Sequence, residues 1–193
     1  MNTSRRLRLY FWVLLALTLA YIAWSKYYLD PFTTGDIVKY EVAKTTEVAA
    51  QIKLQWFMSG LLETARMSIW LDYIFILLYT ACLMMAVPLL GRATGHVLLL
   101  RTGRFISILL PVAAVCDVIE NMAMMKTLAV PPAAAMPPFY VTLAYDMAVA
   151  KFSIIILAFL FLFICLLFWI GNKIKKPALH SDVDALSVQP PYD

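Results

Sequence analysis

Phe105-Ile-Ser-Ile-Leu-Leu-Pro-Val-Ala-Ala-Val-Cys-Asp117-Val-Ile-Glu120-Asn121-Met-Ala-Met-Met-Lys126 is apolar enough to be a membrane-spanning helix, yet two acids stand three residues apart inside it. An acid in a bilayer helix costs several kcal/mol unless it is paired, protonated or facing water, so such residues are functional candidates by default. Positions three and four apart share a helix face, so Asp117, Glu120 and Asn121 project together. The stretch identifies a membrane helix and, in the same residues, a candidate site.

The whole chain agrees with this reading. Hydrophobic residues make up 63% and charged residues 15%, against about 45–50% and about 25% in a soluble domain. Mean hydropathy is +0.79. The composition describes a polytopic, all-α membrane protein. The 193 residues fit one compact bundle over 1–176, with 177–193 expected as a disordered cytoplasmic tail. The net charge of +4 calls for no nucleic-acid partner, because the basic residues cluster where a membrane protein wants them. Cys82, Cys116 and Cys165 lie singly in different apolar runs, with neither zinc-site nor disulfide spacing, and read as small apolar filler.

Four runs have the length of a spanning helix: 9–25, 73–91, 105–130 and 140–171. The first has a basic start, like a signal peptide, but no A-x-A cleavage pattern follows, so it reads as a retained anchor. In the fourth, Phe152 to Gly171 carries no charge. Arg5, Arg6 and Arg8 precede the first span; Arg92, Arg101 and Arg104 join the second and third; Lys173, Lys175 and Lys176 follow the fourth. The positive-inside rule puts all three groups, and both termini, in the cytoplasm. Pro88 and Pro111 are expected to kink or end their spans. Pro131-Pro132 and Pro137-Pro138 stiffen the second outer loop.

The first outer loop contains an amphipathic helix over about 36–60. Val38, Val42, Ala49, Ile52 and Trp56 form its apolar side, Lys44, Glu47 and Gln51 its polar face, and Lys39 and Lys53 the polar flank. It lies on the outer surface or caps the bundle.

Depth follows from the helical rise of 1.5 Å per residue. Counted from the cytoplasmic ends, Asp117 lies about 20 Å in, Glu120 about 24 Å, Asp72 about 30 Å and Lys151 about 32 Å. Four charged groups on three helices therefore converge near the outer edge of the core. Tyr79, two turns after Asp72, faces the same way, and Lys151 pairs with Glu120 or Asp72. Asp146, about 140° around the helix from Lys151, is expected to meet the cap instead.

The candidate ligand-binding or proton-linked set is thus Asp72, Tyr79, Asp117, Glu120, Asn121 and Lys151. Neighbouring carboxyls in low dielectric push one pKa up, as general acids require. Yet His96 and His180 are both on the cytoplasmic side, which argues against haem, zinc hydrolases and di-iron sites. No cofactor is expected, and the nearby Lys disfavours a metal cage.

Leu71-Asp72-Tyr-Ile-Phe75 with Tyr79, followed one helix later by Asp117-x-x-Glu120-Asn121, resembles small bacterial four-helix inner-membrane proteins of unassigned function. The resemblance implies the same key residues and lends no reaction. The favoured reading is a non-enzymatic protein with an outward-facing polar pocket for a cation or lipid-like ligand, in a transport-accessory role. The alternatives are an intramembrane enzyme using Asp117 or Glu120 as acid or base, and a structural subunit of a membrane complex whose buried charges orient helices. Its partners are then membrane lipids, a cation or amphiphile, and a second copy or larger assembly, since four spans are few for a complete transporter.

Overall fold

A computed structural model of the chain describes residues 3–131 and 134–186, with side chains placed for 5–131 and 134–174. Among the described residues there are six helices and no strand: α1 (Thr3–Leu29), α2 (Thr34–Glu41), α3 (Thr46–Met58), α4 (Leu62–Ala93), α5 (Val97–Ala129) and α6 (Pro138–Leu186). Four of them, over Arg5–Leu29, Leu62–Ala93, Val97–Ala129 and Pro138–Ile174, are long and apolar enough to cross a membrane. The chain is a multi-pass, all-helical membrane protein.

The helices outrun the apolar segments because backbone hydrogen bonding continues into polar turns. α4 starts at Leu62 rather than near Tyr73, with Glu63 in its first turn, where the helix dipole favours an acid. Glu63 also pairs with Arg66 one turn on, at 2.6 Å. Asp72 is therefore interior to α4. Pro88 and Pro111 lie inside continuous helices and end neither. At the other extreme, α6 continues through Leu186, so 177–186 is helical rather than disordered; the rest of the expected tail, 187–193, lies outside the described residues.

The long helices run up and down. Gly95, at φ +69°, turns the chain tightly between α4 and α5, and Asn172 of α6 donates to the Thr94 carbonyl there at 3.0 Å. Tyr21, late in α1, donates to the Leu71 carbonyl, early in α4, at 2.6 Å, so these two are also antiparallel. The basic residues at the start of α1, around the α4–α5 turn and after the uncharged part of α6 therefore share one end.

The opposite end is closed by α2 and α3. The expected single amphipathic helix is two, because Thr45 starts a second one: its backbone is extended and its hydroxyl accepts from the Val48 amide at 3.4 Å. The buried faces also differ from the expected stripe. Tyr40, Glu41 and Ala43 are buried beside α2, and Ala49, Lys53 and Trp56 on α3, while Val42 is exposed. Trp56 packs against both Phe32 and Tyr40, with ring centroids 5.2 and 5.1 Å apart. This aromatic group joins Ala65, Ile69, Met124, Leu128, Val141 and Ala144 in one apolar core.

A second core, including Ile76, Val87, Ile106, Leu110, Ala158, Phe161 and Cys165, fills the half of the bundle near the basic end. Between the two cores α4, α5 and α6 place polar residues: Asp72 between Ile69 and Ile76, Asp117 to Asn121 between Ala113 and Ala123, and Lys151 between Ala148 and Ala158.

Candidate functional site

Lys151 is the centre of this polar layer and is 4% exposed. Its Nζ lies 2.7 Å from Asp117 Oδ1, 2.9 Å from Glu120 Oε2 and 3.3 Å from Glu41 Oε2. An ammonium has three protons to donate, and here three carboxyl groups surround it. Tyr79 donates to the other Asp117 oxygen at 2.8 Å. Asn121 donates to Asp72 Oδ2 at 2.7 Å, tying α5 to α4.

All six sequence candidates therefore share one polar layer, with the expected Lys151–Glu120 pair present and Asp72 bonded to Asn121 beside it. Lys151 bonds Asp117 and Glu120, as α5 presents both acids to α6. Asp72 pairs with Asn121 rather than with Lys151. Tyr79 serves Asp117 rather than the Asp72 face. The groups are packed on one another rather than around open space, with Glu120 0% and Asn121 1% exposed. The point where the carboxyls converge is held by the chain's own cation. Asp146 remains exposed on α6, and the ion pair from the cap to that helix is made by Lys151.

Glu41 is the residue that sequence reasoning missed. It closes the cluster from α2, and Thr33 sets the start of that helix: the Thr33 amide and hydroxyl donate to Asp36 Oδ2 at 3.0 and 2.7 Å. These bonds hold the Asp36 carboxyl below its usual range. Burial pushes the Glu41 carboxyl up, with Lys151 opposing the rise and Asp117 adding to it.

Neighbouring contacts fix the cap in place. Thr127 gives its hydroxyl proton to the Met124 carbonyl at 2.7 Å, so Tyr40, 2.7 Å away, is the donor to Thr127 Oγ1. Burial pushes the Tyr40 phenol up to about 12, which keeps it protonated for that role.

Lys53, expected on the polar flank, is instead 2% exposed. It donates to the carbonyls of Thr127, at 2.8 Å, and Val130, while Arg66 donates to the Leu128 carbonyl at 2.8 Å. The last turn of α5 leaves carbonyls without partners inside the helix and concentrates partial negative charge, and these two cations supply both the donors and the charge. Burial, with the nearby Arg66 charge, pushes the Lys53 ammonium below its ordinary pKa.

Chemically, the layer can hold a cation against three carboxyl groups or store protons among them. Comparison with protein-family models, curated proteins and solved structures found no match.

Proposed function

We propose that this is a bacterial inner-membrane protein in which a four-span bundle and an outer-surface helical cap enclose a site for a cation or the cationic head of a lipid-like molecule. The observation that carries the reading is the Lys151 ammonium, held by Glu41, Asp117 and Glu120 within 3.3 Å. The side chain's flexible stem lets it leave the carboxyls to an incoming cation, so Lys151 stands where the ligand's charge would bind. Both termini and the Arg92–Arg104 connection are cytoplasmic in this proposal, and the cap faces outward. The apolar core around Val87, Leu110 and Phe161 lies between the cluster and the cytoplasm. Burial of the cluster under the cap supports binding or an accessory role in transport rather than conduction. The resemblance to small bacterial four-helix membrane proteins supports the same placement.

Native mass spectrometry of gently extracted protein tests the reading. Wild type is expected to retain a lipid or small cationic adduct that Asp117→Asn loses. Identical spectra from the two proteins would contradict it.

A further inference from the structure

The cluster carries more negative charge than its cation balances. Glu41, Asp117 and Glu120 surround one ammonium, and Asp72 stands beside them with the neutral Asn121 amide as its donor among the described residues. Two oxygens, Glu41 Oε2 and Glu120 Oε2, lie near Lys151 yet are buried without a hydrogen bond. The Glu41 and Glu120 carboxyls converge on the same ammonium, their Oε2 atoms 3.3 and 2.9 Å from Lys151 Nζ. Two adjacent carboxylates in a low-dielectric setting do not both ionise. One proton between them turns a repulsion into a charge-assisted O–H···O bond.

We infer that Glu41 and Glu120 bind one proton between them, and that this proton fastens α2 over the cluster. The cap is closed while the pair is protonated and released when the proton leaves. Glu41 comes from the cap and Glu120 from the bundle, so the shared proton joins the two beside the Glu41–Lys151 ion pair. The groups facing the pair are Lys151 from α6, Asp117 from α5 and Asp72 from α4; Tyr40, on α2 itself, is engaged by Thr127. Lys151 opposes proton uptake, while Asp117 and Asp72 favour it. With the Glu41 carboxyl raised by burial, the fastening is complete at low pH. It is lost as pH rises through a value above the ordinary Glu value of about 4.3. What the released cap admits rests on the proposed cation site; the shared proton does not.

Hydrogen–deuterium exchange of the full chain in detergent, read on peptides from 34–41 and corrected for intrinsic pH dependence, tests the fastening. In wild type, α2 exchange is expected to accelerate about tenfold for each pH unit above the step, the slope of a one-proton opening. In Glu41→Gln the amide donates to Glu120 without titrating, so exchange stays flat over that range. If Glu41→Gln does not fold, Glu120→Gln places the amide on the other side and predicts the same flat profile. Wild-type exchange without a pH step, or a step retained in either folded variant, overturns the inference. Binding of ethylammonium to Lys151→Ala reads the cation site separately. Binding without the pH step sinks only the shared proton, and the step without binding sinks only the cation site.

Discussion

The ammonium of Lys151, on a membrane-spanning helix, lies 3.3 Å from the carboxyl of Glu41, on the helical cap. This pair makes the cap part of the buried charge network. The same ammonium holds Asp117 and Glu120 closer still, at 2.7 and 2.9 Å. One side chain therefore sets the register of α6 against α5 and the seat of α2 on both.

Removing that side chain strands three acids. Lys151→Ala is expected to destabilise the protein by about 3–5 kcal/mol, the cost of breaking a buried ion pair from one side. Glu120→Gln is expected to be milder, because the amide keeps hydrogen-bonding capacity. Thermal unfolding in detergent checks both, and equal melting temperatures for wild type and Lys151→Ala would contradict the buried network.

Lys53→Ala leaves the carbonyls of Thr127 and Val130 without their donor. A loss of about 1–3 kcal/mol is expected, the cost of burying an unsatisfied polar group. Lys44→Ala, at an exposed position, is expected to stay within about 0.5 kcal/mol of wild type. Matched denaturation curves for the two variants would contradict the role of Lys53 at the end of α5.

These two lysines mark where the sequence was and was not legible. Asp117, Glu120 and Asn121 stand out because they interrupt an apolar run, which the bilayer makes costly, and Asp72 and Lys151 because depth counting sets them at its outer edge. Glu41 and Lys53 lie in a segment already rich in Lys and Glu, where spacing alone does not separate a buried charge from a solvated one. The available signal was the Ile37, Tyr40 and Glu41 face, three and four residues apart, which carries the residues that dock. The break at Thr45 was missed because the apolar stripe runs through it, although Thr is a favoured helix cap. Helix ends are not legible in hydropathy, which reports the membrane core, whereas α4 and α6 continue as helix beyond it.

The close packing of α5 on α6 makes glycine essential at one point. A Cβ on Gly103 would sit 3.0 Å from Phe161 Cζ and 3.6 Å from Val87 Cγ1. Gly103→Val is expected to cost about 1–3 kcal/mol through overpacking. Gly171, with nothing within 4 Å of its Cβ position, is expected to accept Ala at no cost, or with a gain of up to about 1 kcal/mol in helix propensity. Melting temperatures of the two variants check the contrast, and equal effects would contradict it.

The orientation is tested by single-Cys labelling in intact cells. A Cys at Thr45 is expected to react with an impermeant thiol reagent, and one at Gly95 only after membrane disruption. The reverse pattern would invert the topology.

The central claim is that the carboxyls around Lys151 form a cation site, and chemical rescue of Lys151→Ala tests it most directly. Ethylammonium supplies the missing N–H donors and charge, whereas tetraethylammonium supplies charge alone. At matched ionic strength, ethylammonium is predicted to raise the melting temperature of Lys151→Ala toward wild type, with no comparable effect from tetraethylammonium. An equal response to both ions, or no response to either, would contradict the account.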